Sequence, residues 1–480
     1  MKICLATRHA DAFFSPLALL YLKAYLVSRC GYCAGDVSIV ECAATADGAA
    51  IAEAVLATDP DVVGLSCYVW NIAALTAACR VIKARRPGVR LVLGGPEVGP
   101  IAASVLRANP AVDAVVRSEG ERPFAEIVGA WSAGRAIDEV PGISFRRDPE
   151  IAETGDAPIL RDLNELPSPH LSLPFDLAGR IVCLETQRGC VFRCNFCFYN
   201  KDLSIRNRRF DLERVAQELR FWLERDPHEI YLMDPIFNLD AARAKAICRV
   251  IAAHNHRAIP IHAEIWAEFV DEELAALMRD AHFHFLEVGL QSTDDTALAT
   301  VERRLRLQRF LDGVRLLNQY GLKWELQLIF GLPGETRASF RKSLSFASSL
   351  DPHELAVYPL MVLPGTELWR KADGLRLAFD GEPPYRVRSH FSMPAEDVVY
   401  GDRVVSALQE VGHARTLHLL AREPGLTYAD VIDAWIEWDD RQPGPEAAGY
   451  RIKQFILDFC AERRIAPAFY RESASSELAG

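Results

Sequence analysis

The sequence predicts an α/β chain made of a doubly wound domain, a parallel β/α barrel of six units and a mostly helical C-terminal region. Three observations carry this. Short apolar, β-branched runs alternate with helix-period stretches through about residue 135; the alternation resumes at 181; and it stops near 365, where helical patterns take over. At 480 residues the chain is too long for one ordinary core, so two or three domains are expected.

In the first 135 residues the strand-length runs are KICLAT, VSIVECA, VVGLSCY, RLVLGG and DAVVRS, separated by amphipathic stretches such as IAALTAACRVIKARRP. This order implies a parallel sheet wrapped by helices, whose ligands bind beyond the C-terminal ends of the strands. Those ends carry SCYVWN (66–71), GGPE (94–97) and SEGE (118–121). Gly94 and Gly95 would let a large flat ligand approach the backbone, or would simply make a tight strand-to-helix turn. Residues 136–180 hold scattered prolines and no sustained period, and read as a hairpin and a linker. From 181 to 364, IVCLETQRG, EIYLMD, IPIHAEI, FHFLEVGLQ, KWELQLIFGL and HELAVYPLMV read as six strands with helices between them. Six such units make a partial or complete TIM-type barrel with functional groups at the strands' C-terminal mouth. Residues 365–480 are helix-like with proline-rich interruptions and are expected to shape the substrate site.

The net charge of −11, with no lysine–arginine cluster, argues against a nucleic-acid partner. The opening MKICLATRHADAFF lacks a basic segment followed by a long apolar run, so no signal peptide is expected. PLALLYLKAYLV is too short to span a bilayer and carries a lysine. Twelve cysteines without an export signal read as reduced thiols, metal ligands or core side chains in a cytoplasmic protein; Cys4, Cys42, Cys67 and Cys79 fit the last class.

CVFRCNFCFYN (190–200) is the strongest local signal. Cys190, Cys194 and Cys197 follow the first barrel strand in a C-x3-C-x2-C spacing. A structural zinc or a filled four-iron cluster would want four protein ligands. Cys183 lies back at the start of the preceding strand and Cys248 on a helix, so three thiols suggest a 4Fe–4S cluster with one iron open to a small molecule. A zinc completed by a distant histidine and a chance group of core cysteines remain the alternatives.

With its aromatic before the third cysteine, this motif resembles the radical S-adenosylmethionine (SAM) superfamily. The resemblance implies that the open iron chelates SAM and that an electron from the cluster releases a 5′-deoxyadenosyl radical. It implies Phe196 near the adenine and Asp234, in YLMDPIFN, toward the SAM amino group, with Pro235 where the related D-D-x-F pattern has a second acid. Glu264 in HAEIWA would contact ribose or carboxylate; Gln291 in EVGLQS stands where the family has Glu; Ile329 and Gly331 in LIFGLPGET would back the adenine. A doubly wound domain in front, with GGPE and VVRSEGERPF, resembles the Rossmann-like cobalamin-binding domain of cobalamin-dependent radical SAM enzymes of the class B methyltransferase type. It implies Ser66, Tyr68, Trp70, Gly94, Gly95, Pro96, Glu97, Glu119 and Gly120 as cobalamin contacts, although Trp70 equally fits an aromatic packed at a helix start. The D-x-H-x-x-G motif is absent: TRHADAF has His9 but neither partner, so cobalamin without a histidine on cobalt is implied.

Strand alternation places Glu325, Gln327, Ile329 and Gly331 on one face of the fifth barrel strand, Glu287, Gly289 and Gln291 on one face of the fourth, and His262, Glu264 and Trp266 on one face of the third. Buried charges there need partners or a polar ligand. Glu325 and Tyr358 are the candidates to reach substrate, against an internal ion pair for Glu325 or Glu287 and a core or lid role for Tyr358. His282 and His284 enter at the far end and read as structural. The expected activity is methylation of a small-molecule or natural-product intermediate through methylcobalamin and a deoxyadenosyl radical, with electrons from an external flavodoxin or ferredoxin type donor. Ring contraction, cyclisation or other group transfer without net methylation is the alternative, and RNA modification a more distant one.

Overall fold

The protein, known from a computed structural model, is described over residues 1–147, 149–173, 177–200, 207–441 and 448–465. The first sheet contains β1 (Ile3–Arg8), β2 (Val37–Cys42), β3 (Val62–Ser66), β4 (Arg90–Gly94), β5 (Ala114–Val116), β6 (Ile143–Arg147) and β7 (Glu150–Glu153), in the order β2-β1-β3-β4-β5-β6-β7. Through β5 it is parallel, and its central strands read as unbroken apolar runs because helices cover both faces. The chain reverses direction across the sheet between β1 and β3. That is the switch point beyond which such sheets bind ligands.

The hairpin expected within 136–180 forms, but it extends the first sheet antiparallel to β5 rather than standing in a separate linker. Ile143 and Phe145 bury in the same core as Val116 and Phe124, so the first domain continues past residue 135 to Glu153.

The second sheet contains β8 (Ile181–Leu184), β11 (Glu229–Leu232), β12 (Ile261–Ile265), β13 (Phe283–Gln291), β14 (Trp324–Phe330) and β15 (Glu354–Pro359), all parallel and in sequential order. The short pair β9 (Gln187–Arg188) and β10 (Arg208–Arg209) stands apart. This barrel is open. Its β8 edge, a row of free backbone groups that would invite foreign pairing, is covered by the first domain: Ile181 donates to Phe13 O and accepts from Ser15 N, both at 2.9 Å.

One hydrophobic core runs from Leu20 and Tyr21 through Leu160, Leu163 and Leu166 into the barrel and on to Trp435 and Phe455. The C-terminal helices Ala395–Val411, Tyr428–Arg441 and Ala448–Arg463 therefore belong to the barrel's core. Residues 442–447 and 466–480 of the expected helical region lie outside the described residues. Among the described residues, no helix is long and apolar enough to cross a membrane.

Candidate functional site

The expected site residues lie in two regions, one on the first domain and one on the barrel. On the first domain, the ends of β1 and β3 are stitched together by Asn71, which is buried and donates to Ser66 O (3.1 Å), Arg8 O (3.1 Å) and Thr7 Oγ1 (3.3 Å). Beside it Tyr68 and Trp70 stack at 4.5 Å with rings nearly parallel, and Trp70 is 47% exposed. The loop after β4 touches the same edge. Gly95 has φ +112, and a Cβ there would lie 2.4 Å from Cys67 O, so only glycine allows that approach; a Cβ on Gly94 would meet only Val116, at 3.9 Å. Ser66, Tyr68, Trp70, Gly94, Gly95 and Pro96 thus come together as an edge with an open aromatic plate.

Two other expected cobalamin contacts are engaged between the domains. Glu97 is buried and accepts from Tyr385 Oη at 2.5 Å. Glu119 is bound by Arg208 (2.6 Å) and Arg188 (3.5 Å) of the barrel, beside Gly120 at the start of the helix Glu121–Ser132. Both carboxylates join domains instead of facing a ligand. His9 is engaged by Glu41 at 2.6 Å.

On the barrel, the loop after β9 carries the three thiols. Gly189 (φ +90) turns the chain into Cys190, and Cys197 N closes a turn onto Cys194 O at 3.0 Å. Asn195 pins the loop, its N donating to Val301 O (3.0 Å) and its Nδ2 to Thr300 O (2.8 Å); its Oδ1 is buried without a partner. Burial, with Cys194 close by, pushes the Cys190 thiol up. The same causes, with Cys190 also near, push Cys197 up to about 12. Arg303 offsets that repulsion: its Nη1 lies 3.7 Å from Cys194 Sγ, and its guanidinium sits 4.3 Å over the Trp266 ring, which stacks on Phe192 at 4.1 Å.

Among the described residues no three His, Cys, Asp or Glu side chains stand close enough to hold a single metal ion. A lone zinc with bonds of about 2.3 Å would draw its thiolates to within about 4 Å of each other. An iron–sulfur cluster puts each cysteine on a different iron, so its thiols need not close that far. Three thiols on one loop, Cys194 buried and Cys190 and Cys197 half-buried, beside a guanidinium fit the cluster.

The inner face of the barrel is polar, as alternation required. Glu264, Glu287, Glu325 and Glu354 stand side by side in register across β12 to β15. Gln327 Nε2 bridges Glu287 and Glu325 at 2.7 Å each, His262 lies between Glu229 (3.3 Å) and Glu287 (2.9 Å), and Tyr231 Oη donates toward Glu264 (3.3 Å). Burial, with Glu287 nearby, raises Glu264 to about 7 and does the same to Glu325. Burial opposes charge on Glu287 too, yet His262 and Gln327 outweigh it and hold that carboxyl low. His262 is pulled up to about 9 by Glu229 and Glu287 against its burial. Near pH 7 the arrangement is a His262–Glu287 ion pair flanked by carboxyls poised to take or release a proton. Tyr358 is 46% exposed and its Oη approaches Glu325 Oε1 at 3.4 Å.

Asp234 is the clearest correction. It is fully buried and accepts from Thr186 N (2.7 Å), Thr186 Oγ1 (2.5 Å) and Gln187 N (3.1 Å), so it builds the turn after β8 rather than offering a carboxylate to SAM. Gln291 sits at φ +70 with Oε1 buried and unpartnered, a free acceptor where the family pattern has an acid. Ile329 and Phe196 pack on the main core, and Gly331 (φ +88) donates its N–H to the buried Glu335 at 3.2 Å. Sequence reasoning missed Asn71, Arg303, Glu335 and Tyr385, whose partners are distant in the chain and leave no local pattern.

The family model described as the radical SAM superfamily matches residues 184–347, and that described as the B12 binding domain matches 3–128. Residues 184–347 thus form a radical SAM domain. This radical SAM enzyme carries a B12-binding domain in front of its barrel. It is similar to an uncharacterized methyltransferase of Pyrococcus horikoshii, 29% identical over 74% of this chain and 78% of that one. It is also similar to the 2-(S-pantetheinyl)-carbapenam-3-carboxylate methyltransferase of Streptantibioticus cattleyicolor, 30% identical over 65% of this chain; the match spans 48% of that relative's length. Its fold is shared with the radical SAM methyltransferase TsrM of Kitasatospora setae, solved with cobalamin and a 4Fe–4S cluster bound, at a TM-score of 0.66, with 18% identity over 80% of this chain and 78% of that one.

Proposed function

We propose that this enzyme transfers a methyl group from SAM, by way of cobalamin, to a weakly activated carbon of a small-molecule substrate. The observation that carries the reading is that the end of the first sheet is tied to the base of the thiol loop: Glu119, just past β5, is bound by Arg208 at 2.6 Å and by Arg188 at 3.5 Å, and Arg188 stands two residues before Cys190. When bound, SAM on the cluster supplies a hydrogen-abstracting radical and cobalamin supplies a methyl group.

The chain's own residues do the rest. Cys190, Cys194 and Cys197 hold the cluster, and Arg303 balances thiolate charge beside Cys194. The edge of Ser66, Tyr68, Trp70, Gly94 and Gly95 would hold cobalamin, and His9, engaged by Glu41, is not free to join it. Gln291 and Glu264 would hold the adenosyl end of SAM, backed by Phe196, Ile329 and Gly331. Glu325 and Tyr358 orient substrate by hydrogen bonding, and residues from 365 onward wall the substrate pocket. An external donor of flavodoxin or ferredoxin type delivers electrons. The net charge of −11 supports a small metabolite over a nucleic acid.

The test is anaerobic reconstitution with iron, sulfide and hydroxocobalamin, followed by metal analysis and incubation with SAM and reductant. About four irons and one cobalt per chain are expected, with both deoxyadenosine and S-adenosylhomocysteine formed, and with iron lost in Cys194→Ala. Deoxyadenosine without S-adenosylhomocysteine refutes net methyl transfer.

A further inference from the structure

Beyond the last barrel strand the chain does not leave the mouth directly. It returns across it, touching three places that the function brings together. Leu360 N is held by Phe330 O (2.9 Å) at the end of β14, and Val387 N by Leu360 O (3.0 Å), so both ends of this stretch are anchored on the barrel. Leu368 N donates to Asn195 O (2.9 Å), between Cys194 and Cys197. Gly365 (φ +82) presses on the first domain so closely that a Cβ would lie 2.5 Å from Pro100. Tyr385 then reaches Glu97 in the loop after β4, the loop whose Gly95 packs on Cys67 at the cobalamin edge.

The Tyr385–Glu97 contact has the marks of a built feature. The two residues are 288 positions apart, and both are buried at 4% and 5% exposure. Tyr385 holds φ +57, a conformation that a bulky residue adopts only when its surroundings enforce it. Its ring stands edge-on to Trp369 at 5.7 Å, and Trp369 packs on Phe379 at 5.2 Å. A free Glu97 carboxyl would be left without a partner away from water.

We propose that residues 360–390 form a bracket that fixes the loop 94–100 of the B12-binding domain at a set separation from the thiol loop, with Tyr385 and Glu97 as its clasp. Both are positioning residues: neither touches the reacting groups, and both set how far apart those groups sit. This rests on the two-cofactor reading above.

The test compares Tyr385→Phe, Glu97→Ala and Glu97→Gln with the parent, and uses Tyr400→Phe, which loses a hydrogen bond to Asp433 in the helical region, as control. Glutamine still accepts from the tyrosine hydroxyl, so it rescues. In the cofactor-free proteins, amide exchange is expected to speed up roughly five-fold or more in both the 94–100 and 194–197 segments of Tyr385→Phe and Glu97→Ala, and in neither control, as loss of one buried hydrogen bond would produce. In the reconstituted proteins, iron and cobalt contents are expected to hold, while the magnetic coupling between the paramagnetic cobalt and reduced cluster signals weakens and broadens. Unchanged exchange in the thiol loop, or unchanged coupling, overturns the bracket. A parent protein that keeps no cobalt overturns the two-cofactor reading instead, and the bracket's role with it.

Discussion

Replacing Asp234 separates two jobs that one carboxylate could do. It is wholly buried, and its three hydrogen bonds go to Thr186 and Gln187. Asp234→Ala strands two backbone N–H groups and a hydroxyl; at about 1 to 3 kcal/mol each, with some relief from water entry, the loss is on the order of 4 kcal/mol. Asp234→Asn should be nearly silent near pH 4, where the parent carboxyl is protonated, because Oδ1 can take both N–H groups while the amide donates to Thr186 Oγ1. The pH dependence sharpens this. Burial raises Asp234 from 3.8 to about 7, so its stabilising contribution is full below pH 3.8 and is lost as pH rises through 7. Asparagine carries no such titration. Between pH 4 and pH 8 the Asn variant should therefore gain on the parent by on the order of 4 kcal/mol, at about 1.4 kcal/mol per pKa unit. Thermal unfolding of the apo chain across that range, with iron uptake at each pH, reads it directly. An Asn variant as damaged as Ala, or one that gains nothing as pH rises, would sink the reasoning: it would mean that Asp234 works as an anion, as it would if it held the SAM amino group.

His262→Gln is expected to follow pH in the same direction, over a higher range and starting from a loss of stability. The raised His262 stabilises fully below pH 6.5 and loses that contribution as pH rises through about 9, so the gap between parent and variant, on the order of 3 kcal/mol, should close above pH 9 in thermal melts. Gly95→Ala should destabilise by on the order of 2 kcal/mol or more, from its positive φ and the clash with Cys67 O, and should lower cobalamin retention with it. Gly94→Ala meets only Val116 and should leave the melting point alone; a loss of cobalt from that variant would mark the backbone at Gly94 as a ligand contact.

How legible each part was follows from how local its cause is. The strands of both sheets were readable because each is an apolar run whose burial is dictated by its own residues; β3, with all five residues buried, could not be anything exposed. The inner face of β14 was readable by period two, which is why Glu325 and Gln327 were found together. Position along a strand does not say where a side chain just past its end will turn. Asp234 follows β11, a place that points outward to a ligand, yet it bends back onto Thr186. Glu119 and Glu97 sit past strand ends, where ligand contacts are expected, but their partners Arg208 and Tyr385 come from distant segments that no local pattern connects to them.

The same distant pairs explain why this chain need not behave as two domains on a hinge. Interfaces within a chain default to mobility unless they are large and apolar. Here Tyr21 of the first domain lies in the barrel's own core, Arg180 pairs with Glu41 at 2.6 Å, Arg188 is held by Glu121 at 2.8 Å and Glu185 at 2.8 Å, and Phe13 to Ser15 complete the barrel sheet's open edge. Separating the domains would expose an apolar core, an unpaired strand edge and largely buried ionic groups at once, and those penalties fall together because the same surfaces carry them. A reaction that must pass a reactive carbon centre from one bound group to another across a gap needs such a fixed gap more than it needs any single side chain in it.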